Sequence, residues 1–257
     1  MKKKVIALIM LFACCLVGCS TVSVESPVEK KSFVVGLDDT FAPMGFKDSS
    51  GEIVGFDVDL AKEVANRNGY EVTFTNVDWD LKETELANGN IDCIWNGYSI
   101  TEERKQNVLF SDPYMENSQL IITLNDSGIS SKADLAGKVV SVQKNSSAYD
   151  AVSQDEAFVA SLQNGELVQF DTNNDCFMDL EAGRSDAIVV DETLARYYIK
   201  QQPENIYTIL DENFGTEEYA VGLRKEDEAF ANVINTTLAE MKADGTFDEI
   251  RNRWSEE

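Results

Sequence analysis

Apolar residues fall along this chain in two alternating rhythms. Ser32-Phe-Val-Val-Gly-Leu-Asp38 is a short, nearly continuous apolar run of the kind that forms a buried strand. Asp57 to Arg67 then sets Val58, Leu60, Ala61, Val64 and Ala65 on one side of a helix that Asn68-Gly69 ends. Glu71 to Val77 alternates as a strand, Leu81 to Ala87 makes a short helix stopped by Asn88-Gly89, and Ile91 to Trp95 is the next strand. A second round follows, with strands at Gln119 to Leu124, Lys138 to Gln143, Leu167 to Phe170 and Ala187 to Val190. Between them lie a helical turn at Lys132 to Leu135 and helices through Ala148 to Leu162, Asp175 to Ala182 and Thr193 to Lys200. Glu218 to Arg224 reads as one more strand, and Phe230, Val233, Ile234, Leu238 and Met241 recur at helical spacing before Gly245. Alternating strands and helices predict an α/β fold with largely parallel sheets, and two rounds predict two lobes.

The N-terminus departs from this pattern. Lys2, Lys3 and Lys4 precede an unbroken apolar run from Val5 to Val17, which is too short to span a bilayer and has the layout of an export signal. Leu16-Val17-Gly18-Cys19 resembles a bacterial lipobox. That resemblance implies a lipoprotein signal peptide over residues 1–18, acylation (palmitate) of Cys19, and a protein exported to the outer face of the cell membrane, at the cell surface or in a periplasm. Residues 19–31 are polar, contain Pro27 and read as a tether.

Composition narrows the function. The 257 residues carry 22 Lys+Arg against 46 Asp+Glu, a net charge of −24, and no histidine. An acidic chain with no basic cluster beyond Lys2 to Lys4 is unsuited to nucleic acid, whose affinity comes from phosphate neutralisation. Absence of histidine removes Ser-His-Asp and Cys-His nucleophile pairs and the zinc-protease helix. No metal-ligand spacing, phosphate-cradling glycine loop or nucleophile elbow is found, so no cofactor and no metal are expected. Of five cysteines, Cys14 and Cys15 leave with the signal and Cys19 takes the lipid; Cys93 and Cys176 are expected to be separate buried thiols.

Several separated stretches stand out in order: Val34-Val-Gly-Leu-Asp38 with Phe41-Ala-Pro43, Gly51-Glu-Ile-Val-Gly-Phe-Asp-Val-Asp-Leu60, Ile91-Asp-Cys-Ile94, and Gly97-Tyr-Ser-Ile-Thr-Glu-Glu-Arg104. Further on come Phe110-Ser-Asp-Pro-Tyr114, Asp134-Leu-Ala-Gly-Lys-Val-Val140, Ala182-Gly-Arg-Ser-Asp-Ala187 and Asp244-Gly-Thr-Phe247 with Trp254. In this order and spacing they resemble the bacterial extracellular solute-binding proteins that deliver polar amino acids to ABC transporters. The resemblance implies the two-lobe type II periplasmic-binding-protein fold, each lobe a mostly parallel sheet flanked by helices. The chain would cross twice, near Met115 to Ser118 and Phe214 to Glu218, giving one lobe of residues 32–115 with 218–257 and another of 116–217. Lobe closure over a ligand would then shift an open-closed equilibrium.

The same resemblance assigns a ligand site. Arg104 falls at the carboxylate-binding position, where a planar guanidinium satisfies both oxygens, and Ser146 at the loop that meets the same carboxylate. Asp191 falls at the ammonium-accepting position, with the Gly97 carbonyl and Ser99 opposite. Phe41 and Trp79 match the aromatic pair around the ligand side chain, Tyr98 shapes the pocket, and Asp38 matches the contact to the distal polar group, with Asp39 and Glu83 as neighbouring candidates. Read from the residues alone, Arg104 is a solvated helix-start arginine and Asp191 caps the Thr193 helix. The partners implied are a basic, amide or cystine-like L-amino acid, an ABC permease with its ATPase, and the membrane through the lipid only. An amino-acid sensor or adhesin without transport, and a lyase on the same scaffold, are the alternatives.

Overall fold

The computed structural model describes residues 24–256; the segment expected to be a signal peptide and Cys19 lie outside the described residues. A helical turn, α1 (Pro27–Lys30), leads into β1 (Ser32–Leu37). Three short strands, β2 (Thr40–Phe41), β3 (Gly45–Lys47) and β4 (Ile53–Val54), pair antiparallel as a small sheet that the hydrophobic pattern did not announce. Then come α2 (Phe56–Asn68), β5 (Glu71–Asn76), α3 (Lys82–Ala87), β6 (Cys93–Ile94) and β7 (Leu109–Phe110). The chain leaves along β8 (Met115–Leu124) and winds through β9 (Val140–Gln143), α4 (Ser147–Ser153), α5 (Glu156–Ser161), β10 (Val168–Phe170), α6 (Asn173–Glu181), β11 (Ala187–Asp191) and α7 (Glu192–Lys200). It returns along β12 (Tyr207–Tyr219) to β13 (Gly222–Leu223), α8 (Glu228–Asp244) and α9 (Thr246–Glu256).

Two five-stranded sheets result, ordered β5-β1-β6-β13-β7 and β10-β9-β11-β8-β12. Each is parallel in one half, β5-β1-β6 and β10-β9-β11, and antiparallel in the other. The sheets are therefore mixed rather than mostly parallel, and the antiparallel halves contain or adjoin the strands that pass between the lobes. β8 and β12 run side by side, from Met115 opposite Tyr219 to Leu124 opposite Tyr207, with register shifts between Ile209 and Thr216. The long helix expected over Ala148 to Leu162 is two helices, because the Asp155 carboxylate accepts the Phe158 N–H at 3.0 Å and starts a new one.

The first lobe is closed by α8 and α9 packing on α2, where the rings of Phe56 and Phe247 meet edge to face with centroids 5.6 Å apart. α2 needs glycine at both ends: a Cβ at Gly55 would lie 2.3 Å from the Met44 carbonyl oxygen, and Gly69 (φ 65°) is the left-handed cap. The described part of the expected tether is not free chain. Pro27 is buried and Lys30 Nζ lies 2.8 Å from the buried Asp92, pinning α1 to the first lobe. Among the described residues no helix is long and apolar enough to cross a membrane. Cys93 and Cys176 are buried and unpaired.

The parallel halves place the chemistry. Asp38 follows β1, Trp79 follows β5, Gly97 follows β6, Ser146 follows β9 and Asp191 ends β11, so every one lies at or just beyond a carboxyl end of a strand. In open α/β sheets those ends converge on a crevice.

Candidate ligand-binding site

Between the lobes lies a narrow cavity lined by Asp38, Phe41, Trp79, Asn96, Gly97, Arg104, Gln143, Ser146, Ser147 and Asp191. Direct hydrogen bonds cross between the lobes around it: Gln143 Nε2 donates to Asp38 Oδ2 at 2.8 Å, Arg104 Nη2 to the Asn145 carbonyl at 3.1 Å, and the hydroxyls of Ser99 and Ser147 meet at 3.0 Å. The lobes are thus closed on each other.

Arg104 is 7% exposed, not a solvated helix-start residue. It begins a short 3-10 turn, where the Thr101 hydroxyl accepts its N–H at 3.1 Å, and its guanidinium lies 4.5 Å over the Tyr98 ring. Nη1 donates to the Ser99 carbonyl at 2.9 Å. The carboxylate in range among the described residues, Glu83, stands at 3.9 Å and itself accepts the Tyr98 hydroxyl at 2.7 Å. Arg104 is therefore a buried cation held mainly by neutral oxygens and a π-face.

Asp191 occupies the N-cap position of α7 but makes no cap bond with its side chain. The Thr193 N–H goes instead to Asn117 Oδ1 at 3.3 Å. The Asp191 carboxylate turns inward, accepting from Asn117 Nδ2 at 3.1 Å, Gln119 Nε2 at 2.9 Å and the Tyr219 hydroxyl. Burial, and next the neighbouring Glu217 carboxylate, push its pKa well up from the usual carboxylate range.

Asp38 is also buried, and burial raises its pKa against the bonds it accepts from Thr40 N and Oγ1 at 2.9 and 2.7 Å and from Gln143. Asn173 Nδ2 donates to Gln143 Oε1 at 2.9 Å, which fixes the amide so that its NH₂ faces Asp38. Gly97 (φ 57°) is held by its N–H to Asp57 Oδ2 at 2.7 Å, and a Cβ there would come within 2.8 Å of the Phe41 ring. Asp57 itself is fully buried, with its pKa pushed up to about 7 by burial.

Seven of the nine expected site residues line this cavity: Asp38, Phe41, Trp79, Gly97, Arg104, Ser146 and Asp191. Tyr98 and Ser99 do not. Tyr98 is fully buried and supports Arg104 from beneath, and Ser99 gives its carbonyl to Arg104 and its hydroxyl to Glu217 Oε1 at 2.7 Å. The Ser146 hydroxyl is used as the α4 cap, accepting Tyr149 N–H at 3.1 Å and donating to the Gln143 carbonyl at 2.8 Å. Asp39 pairs with Lys47 and Glu83 with Lys82 and Tyr98; neither lines the cavity. Asn145, just before Ser146, takes φ 47°, a conformation asparagine tolerates, and its carbonyl receives both Lys82 and Arg104. Asn96, Gln143 and Ser147 were missed, although each sits at or just past a strand's carboxyl end.

The chain is 33% identical over 227 residues to the "Histidine-binding periplasmic protein" of Salmonella typhimurium, covering 86% of each. It is 30% identical over 254 residues to the "Arginine-binding extracellular protein ArtP" of Bacillus subtilis, covering 96% of each. A substrate-binding protein of an ABC uptake transporter from Streptococcus pneumoniae, solved with bound histidine, superposes with a TM-score of 0.86 at 40% identity, over 90% of this chain and 94% of that one. These neighbours share the type II two-lobe fold. Residues 33–257 match one family model throughout, and the chain belongs to the bacterial extracellular solute-binding proteins, family 3.

Proposed function

We propose that this protein captures a polar L-amino acid between its lobes and delivers it to an ABC permease. The observation that carries the reading is one interlobe cavity lined by a buried guanidinium, Arg104, and a buried carboxylate, Asp191. A zwitterion's α-carboxylate pairs with the first and its α-ammonium with the second, and neither burial is tolerable without such a partner. Phe41 and Trp79 cover the side-chain stem. Asp38 is then left as an unbalanced charge in the cavity, which favours a cationic side chain, as in arginine, lysine or protonated histidine, over an amide or an acid. Relatives that bind arginine and histidine support this choice. The named groups are occupied in holding a ligand, so the role is binding and not catalysis.

Closure is taken to bend β8 and β12, with residues 32–115 and 218–257 moving against 116–217. Cys19 is taken as the acylated residue that keeps the exported protein on the membrane. A thermal-shift screen of the twenty amino acids with cystine and ornithine tests the assignment, because a ligand that binds only the folded state raises the melting temperature. Arginine or lysine should give the largest rise. Asp38→Asn should weaken arginine about thirtyfold and leave glutamine within about threefold. Equal loss of both ligands would remove Asp38 from specificity.

A further inference from the structure

Glu217 lies on β12, the strand by which the chain returns between the lobes. A single oxygen of its carboxylate, Oε1, accepts from four donors: Ser99 Oγ at 2.7 Å, Asn117 Nδ2 and Gln119 Nε2 at 2.8 Å each, and Ser147 Oγ at 3.2 Å. These come from the first lobe, from β8 and from the first turn of α4. Asn117 and Gln119 are the same two amides that donate to Asp191. Gln119 Nε2 carries two hydrogens yet faces three acceptors, Glu217, Asp191 and Ser147 Oγ, while its own buried Oε1 has no partner. An amide that leaves its oxygen unsatisfied is being turned by the two carboxylates it faces.

We propose that Glu217 is a positioning residue of the ammonium site: through Asn117 and Gln119 it fixes the Asp191 carboxylate, and it places a second negative charge behind it. The inference rests on the reading of Asp191 given above. Two carboxylates this close repel unless a cation or a proton lies between them. Asp191, buried and facing that second charge, therefore takes up a proton more readily when no ligand is bound, and the proton passes to solvent when the ligand ammonium enters, the ammonium keeping its own hydrogens. The other groups facing the pair do not take over this role. Tyr219 donates its hydroxyl to Asp191, and Arg104 favours the charged carboxylate from the first lobe. Glu102, Glu103 and Asp150 lie around an adjoining cleft that Gln119, Ser147 and Glu217 also line, and being acidic they supply no cation to offset Glu217.

The test compares wild type with Glu217→Gln, Glu217→Asp and, as control, the exposed neighbour Glu218→Gln. Carbon-detected NMR follows the Asp191 carboxyl in ligand-free protein, and calorimetry follows L-arginine between pH 5.5 and 8.5. In Glu217→Gln the Asp191 midpoint should fall by about one pH unit or more. Wild type should bind L-arginine about tenfold more weakly at pH 5.5 than at pH 8, and Glu217→Gln should reduce that ratio below about threefold. Glu217→Asp, which keeps the charge, should retain the wild-type pH profile, and Glu218→Gln should change nothing. An unmoved Asp191 midpoint in Glu217→Gln, or a loss of affinity equal at every pH, would overturn the proposal. Failure of wild type to bind any amino acid would instead overturn the ammonium reading, and the NMR midpoint would still decide whether Glu217 governs Asp191.

Discussion

The walls around Arg104 and Asp191 solve the same problem, a buried charge, by different means. The Arg104 guanidinium rests mainly on neutral groups drawn from its own neighbourhood in sequence, the Ser99 carbonyl and the Tyr98 ring, with the Asn145 carbonyl reaching over from the other lobe. Asp191 is held by side chains from two other strands, Asn117 and Gln119 on β8 and Tyr219 on β12, with the Glu217 carboxylate beside it. The first wall presents a cation whose paired carboxylate, Glu83, stands off at 3.9 Å. The second presents an anion already resisted by another anion. One wall is therefore a local motif and the other an assembly made by the chain crossings, and both line the same cavity.

The largest expected effect separates them. Arg104→Ala should reduce L-arginine affinity about a thousandfold, about 4 kcal/mol, because the ligand carboxylate is then buried with no cation. Asp191→Asn should cost less, about thirtyfold, since Glu217 remains behind it. Calorimetry on the two variants reads this directly, and equal losses or a reversed order would erase the contrast.

A smaller effect concerns stability. Asp57 and Asp191 have pKa values raised by burial, so between the ordinary carboxylate value near 4 and about 7 the folded state binds more protons than the unfolded chain. Their contribution is fully present below the unfolded value and is lost as pH rises through the folded one. The melting temperature of the ligand-free protein should therefore fall by several degrees from pH 5 to pH 8. Asp57→Asn should flatten that fall while leaving the pH dependence of L-arginine affinity in place. A melting temperature that rises over the same interval would contradict the sign. The smallest effect is Asn145→Gly: it removes the exposed bond to Asp80 Oδ1 but keeps the carbonyl that receives Lys82 and Arg104, so affinity should change by no more than about threefold.

The same contrast explains what could be read from the sequence. Strands β1, β5, β6, β9 and β11 are apolar or cleanly alternating runs and were legible from the pattern, whereas the residues past them, Asp38, Trp79, Gly97 and Ser146, with Asp191 at the end of β11, were singled out only through the family resemblance. β12 was not legible, because Asp211 to Glu218 is polar and acidic and its pairing with β8 shifts register twice. Glu217 was hidden for the same reason, since an acidic run in a crossing segment reads as solvated surface. Tyr98 shows the opposite error: it is adjacent to Gly97 in sequence, yet its ring points into the core beneath Arg104. The helix break at Asp155 turned on one cap bond inside an otherwise periodic segment.

The central claim is that Arg104 meets the ligand's α-carboxylate. It is tested most directly by a thermodynamic cycle of two ligands and two proteins: L-arginine and agmatine, which is arginine without its carboxylate, titrated into wild type and Arg104→Ala at pH 8. L-arginine should lose about a thousandfold affinity in the variant, and agmatine, already weak with wild type, should lose less than about threefold. A loss of the same size for both ligands would show that Arg104 acts elsewhere than on the carboxylate.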